Sequence, residues 1–343
     1  MADFEAKKFQ EIFQKRYEED RFSGVVLVAN GEDVVFEKAY GYACKNFEVP
    51  NQMDTKFNIG SLNKLITKIA ILQLVQRGSL TLDDLVGKYL PDFPEEIRTK
   101  VRIHHLISFT SGMGDYFNEK FEQASGNLRK LDDFVPFFID NPLAFEPGEG
   151  NQYSNAGYVV LGKIIEAVSG MDYYDYVREN IYKPAGMTDT DHYEIDSVTP
   201  KLATGYTRQM PDCSRHPTER RTNYFIIGSR GSSAGGGQST AYDLLKLDIA
   251  VANSVLLDDL HSSRVFIPLD VEPGRKPRIV GLAGGAPGLT ALYLKYNEKG
   301  YTVFVLSNYD PEDVEPIAEQ VTNFFIPESE RGKMVRMSHP DKE

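Results

Sequence analysis

The sequence predicts an α+β protein, an antiparallel sheet flanked by helices with an all-helical insertion between its two halves. Three observations predict it. An amphipathic helical pattern at the start runs directly into a β-hairpin pattern. A loop-rich helical stretch without strand patterns then extends from about residue 80 to 185. Strand patterns return after about residue 200 and end in a closing helix. This order divides the chain into a discontinuous sheet unit (1–80 and 186–327), a helical unit (81–185) and a polar, frayed tail (328–343).

Residues 2–20 place Phe4, Phe9, Ile12, Phe13 and Tyr17 at helical spacing. Phe22 to Asn30 is rich in β-branched residues, Asn30-Gly31 is a hairpin turn, and Val34-Val35-Phe36 begins the partner strand. Residues 61–77 form the strongest helix. Leu62, Leu65, Ile66, Ile69, Ile71, Leu72 and Val75 cover most of its circumference, so it is expected at the centre of the protein, capped by Gly78. Thr81–Leu90, Ile103–Ser108, Leu131–Ile139, Ser154–Ser169 and Asp172–Ile181 read as helices punctuated by prolines. Asn223–Ile227 reads as a strand. Leu289–Tyr296 and Tyr301–Ser307 read as a hairpin about Asn297–Gly300, and residues 312–326 as the last helix.

The 343 residues are 41% apolar and 26% charged, a globular mixture that excludes wholesale disorder. Thirty-eight Lys and Arg against 50 Asp and Glu leave a net charge of −12. An acidic surface repels phosphate backbones and anionic lipid, so neither nucleic acid nor a membrane surface is an expected partner. Cys44 and Cys213 cannot form a disulfide framework. The first residues lack the apolar core of a secretory leader, and no run of about 18 apolar residues occurs. A soluble, cytoplasmic protein is expected.

Three motifs carry chemistry. Ser61-Leu62-Asn63-Lys64 is an S-x-x-K at the opening of the central helix. Residues three apart share a helix face, and a lysine on a buried helix is costly unless paired or neutral. The bland reading is an N-capping serine and a snorkelling lysine. The chemical reading is a serine nucleophile beside a lysine base. That base needs its pKa lowered from about 10.4 to about 7–8, a cost near 4 kcal/mol. Tyr153-Ser154-Asn155 follows the turn Phe145-Glu146-Pro147-Gly148 and precedes an apolar helix, so the Tyr153 hydroxyl could meet Ser61. Tyr116-Phe117-Asn118 repeats the spacing without the turn or the helix. Gly281-Leu282-Ala283-Gly284-Gly285-Ala286-Pro287-Gly288 is dense enough in glycine for a backbone to approach a ligand, or for a bulged strand and tight turn.

In this order the motifs resemble the serine β-lactamase and penicillin-binding-protein superfamily, in the branch of class C β-lactamases, D-alanyl-D-alanine carboxypeptidases and related esterases. Phe57-Asn58-Ile59-Gly60, the stretch Ile103 to Gly112, Phe145 to Gly148 and Ser239 to Leu244 also look like that family, and the resemblance covers about residues 20–325. It implies a β-lactamase/transpeptidase-like fold and a serine hydrolase working through an acyl-enzyme. It implies Ser61 as nucleophile, Lys64 and Tyr153 as shared general base, and the N–H groups of Ser61 and Gly285 as oxyanion hole. Asn155 would contact substrate or Lys64, and Leu282, Ala283 and Gly284 would contact substrate. The implied partner is a small-molecule ester, amide or lactam; no cofactor and no metal is implied.

Leu282 departs from the family pattern, which has Lys or His there to hold a substrate carboxylate. A neutral ester or amide is therefore the expected substrate, with Arg275, Lys276 and Arg278 as candidate replacement cations. The alternatives are a β-lactamase or D-amino-acid peptidase with weakened carboxylate recognition, or a catalytically impaired binding protein of the same fold. Gly231-Ser232-Ser233-Ala234-Gly235 matches the G-x-S-x-G of α/β-hydrolases, but more glycine follows where that motif needs a helix.

Overall fold

The computed structural model describes residues 4–326 apart from Phe225 and Asp270, so the tail expected at 328–343 lies outside the described residues. Helix α1 (Ala6–Glu18) leads into strands β1 (Gly24–Asn30) and β2 (Asp33–Tyr40). Helix α2 (Asn63–Gln76) is preceded by a 3-10 turn over Gly60–Leu62. Helix α3 (Asn155–Ser169) lies in the helical and loop-rich middle of the chain, and α4 (Ala241–Ala252) follows it. Strands β3 (Ile279–Ala286), β4 (Leu289–Tyr296) and β5 (Tyr301–Ser307) then lead to α5 (Pro316–Phe325).

These strands form one five-stranded antiparallel sheet in the order β2-β1-β5-β4-β3. Residues 24–30 therefore pair with residues about 270–280 positions later, Gly24 opposite Ser307. Side chains alternate across a strand, and here both faces are covered. Val26, Val28, Leu292, Leu294, Val303 and Val305 pack under α1 and α5. Val25, Leu27, Ala291, Tyr293, Phe304 and Leu306 face the larger core around α2, α3 and α4. This explains the continuous apolar run of β1.

Helix α2 is buried almost throughout, including Asn63, Lys64, Thr67 and Lys68. Three of its polar side chains donate to carbonyls of the segment 232–234. Asn63 donates to Ser232 O at 3.1 Å, Thr67 to Ser233 O at 2.7 Å and Lys64 to Ala234 O at 2.6 Å. Gly78 (φ +69°) ends the helix with its N–H on Val75 O, where a left-handed residue is needed.

Several elements differ from the sequence expectation. Over Thr81–Leu90 only Val86–Lys88 forms a 3-10 turn. The Asp84 carboxylate accepts from the Thr81 N–H, Lys88 and Tyr89, a local turn that competes with a helix. Leu131–Ile139 breaks into α-helix Leu131–Phe134 and 3-10 Val135–Phe137 at Pro136. Asp172–Ile181 is α-helical over Tyr173–Val177 and π-helical over Arg178–Tyr182. The strand expected at Asn223–Ile227 is instead Arg221–Thr222, paired with Tyr206–Thr207. The chain turns at Asn223, whose carbonyl accepts from the N–H groups of Ile226 and Ile227. Among the described residues no helix is long and apolar enough to cross a membrane.

Lys68 supplies a test of this packing. Its amine is buried, donates to Ile267 O at 2.8 Å, and is pushed down to about 7 by burial and then by Arg264. The native state therefore opposes a charge that the unfolded chain carries up to about pH 10. Lys68→Met is predicted to raise the thermal midpoint at pH 6, and the gain should shrink as pH rises from about 7 to about 10. Thermal unfolding of both proteins across that range checks it; a loss of stability at pH 6 would contradict it.

Candidate active site

Ser61 sits in the 3-10 turn that launches α2, immediately after Gly60 (φ +49°). Lys64 is one turn further along the same face. Tyr153 arrives from the other side, on the loop before α3. That helix is capped by Ser154, whose Oγ accepts the Gly157 N–H at 2.8 Å. The Tyr153 ring stacks on Phe109 with centroids 4.9 Å apart. Phe109 is held at φ +59°, a left-handed conformation unfavourable for a bulky residue and tolerated where surrounding contacts fix it.

The hydroxyl of Tyr153 donates to Ser61 Oγ at 2.6 Å, and Lys64 Nζ lies 3.1 Å from the same oxygen. Lys64 Nζ also donates to Asn155 Oδ1 and to Ala234 O, both at 2.6 Å. It lies 4.7 Å from the ring centre of Tyr153 and 5.4 Å from that of Tyr158. Burial lowers the amine to about 7, with Asp115 acting weakly the other way. Burial likewise pushes the Tyr153 hydroxyl up to about 12, against the effect of its bond to Ser61. Near neutral pH the tyrosine is a neutral donor and the lysine is close to losing its proton.

Strand β3 forms the other wall. It is the outermost strand of the sheet, so alternate N–H groups along it have no neighbouring strand to bond. A Cβ placed on Gly284 would stand 2.1 Å from Ile59 O and 2.7 Å from Ser61 N, and one on Gly60 would stand 3.0 Å from Gly285 N. Only glycine permits this approach of two backbones. The turn after β3 is clamped: Asp310 Oδ1 accepts the Gly288 N–H at 2.7 Å, and Asn223 Nδ2 donates to Pro287 O at 3.0 Å. Arg208, Arg215 and Arg220 converge on the Asp310–Asp313 pair behind it.

The structure thus brings Ser61, Lys64, Tyr153 and Asn155 into one hydrogen-bonded cluster beside Gly284 and Gly285. Leu282 is half-buried against the core on the α2 side of the sheet. Strand alternation turns the side chain of Ala283 to the opposite layer of the sheet. The candidate replacement cations do not serve: Arg275 and Lys276 are exposed before β3 begins, and Arg278 pairs with Glu298 at 2.6 Å. Asn118 donates to Phe137 O at 2.9 Å, so the second tyrosine motif is structural. Among the described residues no three His, Cys, Asp or Glu side chains gather as a metal site requires.

Asp115 was not singled out in the sequence. Its Oδ2 accepts from Asn155 Nδ2 at 2.7 Å, and no motif marks it beyond the stretch ending at Gly112. The carbonyl of Ala234 was also missed, although the glycines from 231 to 237 mark that segment. Ser233, the serine of G-x-S-x-G, is fully buried and donates to Tyr158 O at 2.8 Å. It has no route to a substrate.

A family model described as Beta-lactamase matches residues 9–323. The chain belongs to the β-lactamase family. Penicillin-binding protein 4* of Bacillus subtilis (strain 168) is 31% identical over 345 residues, covering 92% of this chain and 74% of that protein. The penicillin binding protein from Bacillus halodurans, a crystal structure, aligns with a TM-score of 0.78 at 30% identity, covering 90% of this chain and 99% of its own. Esterase EstB of Burkholderia gladioli is 33% identical over 199 residues, 54% of this chain and 50% of that protein. The fold is the β-lactamase/transpeptidase-like one, and the protein is a serine hydrolase of this family.

A labelled fluorophosphonate is predicted to modify Ser61 and not Ser233. Ser233→Ala should keep the labelling and lose about 1 kcal/mol of stability with its buried bond, whereas Ser61→Ala should abolish labelling. Peptide mass mapping reads the modified residue; label on Ser233 would contradict the assignment.

Proposed function

We propose that this protein hydrolyses uncharged carboxylic esters or amides through an acyl-enzyme on Ser61. The observation that carries the reading is the proton inventory around Ser61 Oγ. A neutral amine has two N–H groups and one lone pair. The two 2.6 Å bonds of Lys64 end on carbonyl oxygens, which only accept, so both N–H groups are spent there. The position left over faces Ser61, and a neutral Lys64 accepts the Ser61 proton there. Tyr153 at the same time donates to Ser61 Oγ. Lys64 is the base for the first step and Tyr153 a donor that relays the proton.

In acylation Ser61 Oγ bonds to the acyl carbon and its proton passes to Lys64. The N–H groups of Ser61 and Gly285 hold the developing oxyanion; removing one such donor commonly costs about 10²–10³ in rate. The bond to the leaving group then breaks, and the proton returns to the departing oxygen or nitrogen through the Tyr153 hydroxyl. Water attacks the ester on Ser61, gives its proton to the same pair, and releases the acid and the free serine. Asn155 holds Lys64 in place throughout.

Charge supports an uncharged substrate. Leu282 offers nothing to a carboxylate, and Asp115, exposed at the cleft mouth, repels one. The named penicillin-binding relatives motivate the alternative, a lactam or peptide substrate with weakened carboxylate recognition.

Hydrolysis of p-nitrophenyl acetate and butyrate beside nitrocefin tests the reading. Ester turnover should fall by at least about 10³ in Ser61→Ala. Nitrocefin should be a poor substrate, improved by Leu282→Lys on the order of tenfold, as a charged hydrogen bond to its carboxylate allows. Nitrocefin cleavage that matches the esters would favour the lactam reading. Absence of Ser61-dependent turnover, with a gain in Leu282→Lys, would favour an impaired enzyme.

A further inference from the structure

Asp115 makes three bonds. Its Oδ1 accepts the N–H groups of Tyr116 at 2.7 Å and Phe117 at 3.3 Å, which tie the carboxylate to its own loop. Its Oδ2 reaches across to α3 and accepts from Asn155 Nδ2 at 2.7 Å. A carboxylate only accepts. The amide nitrogen of Asn155 must therefore face Asp115, which leaves Oδ1 facing Lys64 Nζ at 2.6 Å.

That orientation matters because an asparagine amide has two nearly isosteric orientations, related by a half-turn about its last bond. Reversed, Asn155 would present an N–H to Lys64. A neutral amine would accept it on its lone pair, in direct competition with the Ser61 hydroxyl, and Ala234 O would be left as its carbonyl acceptor. The other titratable groups facing the amine are Tyr153 and Tyr158, whose hydroxyls donate to Ser61 Oγ at 2.6 Å and to Ile107 O at 3.3 Å. Neither selects the orientation of the amide.

We propose that Asp115 is a positioning residue that locks the Asn155 amide, so that the lone pair of Lys64 stays aimed at Ser61. The inference rests on the reading of Lys64 as the base. Asp115 acts through Asn155 and touches neither the serine nor the acyl group. A purely electrostatic role differs in its consequence. The Asp115 charge favours protonated Lys64, so removing it would move the acid limb of the rate profile to lower pH and leave the plateau unchanged.

The test is kcat and KM for p-nitrophenyl butyrate from pH 5 to 10, for the unaltered protein, Asp115→Asn and Asp115→Glu. Asparagine at 115 can present oxygen or nitrogen, so it permits both orientations of Asn155. Asp115→Asn is expected to lower the kcat plateau about tenfold with KM within about twofold, and to shift the acid limb downward. Asp115→Glu should recover part of the plateau, because it keeps an acceptor-only group. The rate of Ser61 phosphonylation by a fluorophosphonate, normalised to folded protein, should fall in parallel and keeps the test valid if turnover is weak. An unchanged plateau with a shifted limb would overturn the proposal, as would a change in KM alone. Ser61→Ala and Lys64→Met run beside them: if either keeps turnover the reading of the site fails, and if both lose it while Asp115→Asn keeps its plateau, only the positioning role fails.

Discussion

Lys64 places a buried amine, bonded to two carbonyl oxygens, against the hydroxyl of Ser61, and among the described residues no carboxylate is in direct contact with it. Holding a lysine at a pKa near 7 rather than 10.5 opposes folding by an amount on the order of 5 kcal/mol at low pH. The rest of the molecule is arranged to sustain this. Helix α2 is buried almost throughout, so its amine cannot snorkel to solvent. The carbonyls of 232–234 accept in turn from the Asn63 amide, the Lys64 amine and the Thr67 hydroxyl. The same burial that makes Lys64 costly leaves it able to take a proton near neutral pH.

The second requirement is that distant parts of the chain meet at Ser61. The serine and lysine come from α2, the tyrosine and asparagine from the start of α3, one wall from 231–237, and the other from β3. The sheet makes this possible. Strand β1 lies between β2 and β5, which joins the two ends of the chain and carries β3 to the open edge beside Gly60. Asp310 then ties the turn of that edge to the network of Arg208, Arg215 and Arg220. The cleft edge is thereby anchored to an ionic cluster in which Arg220, Asp310 and Asp313 are buried, a rigid support for that edge.

Much of this was legible in the sequence where pattern and environment coincide. Leu289–Tyr296 and Tyr301–Ser307 were read with their observed limits because a turn with Gly300 separates two apolar strands. Ser61, Lys64 and Tyr153 were legible because each sits at the opening of a strongly apolar helix. Thr81–Leu90 misled because its apolar spacing is overridden by the side chain of Asp84. For residues 281–288 the glycine density left a ligand-approaching backbone and a strand with a tight turn both open, since glycine carries little strand propensity; pairing with β4 makes most of the segment a strand. Asp115 was invisible for another reason. Its one bond to the site spans 40 residues and joins a loop to a helix, and no local pattern encodes such a contact.

The central claim is that Lys64 loses its proton near neutrality because it is buried. The direct measurement is an NMR titration of the lysine side chains from pH 5 to 11, with ¹³Cε and ¹⁵Nζ labels. Lys64→Met and Lys68→Met would assign the two buried amines. The account predicts a Lys64 midpoint at about 7, close to that of Lys68. A Lys64 amine that stays protonated to about pH 9.5 or above, near the ordinary lysine value, would contradict it and move the role of base to another group.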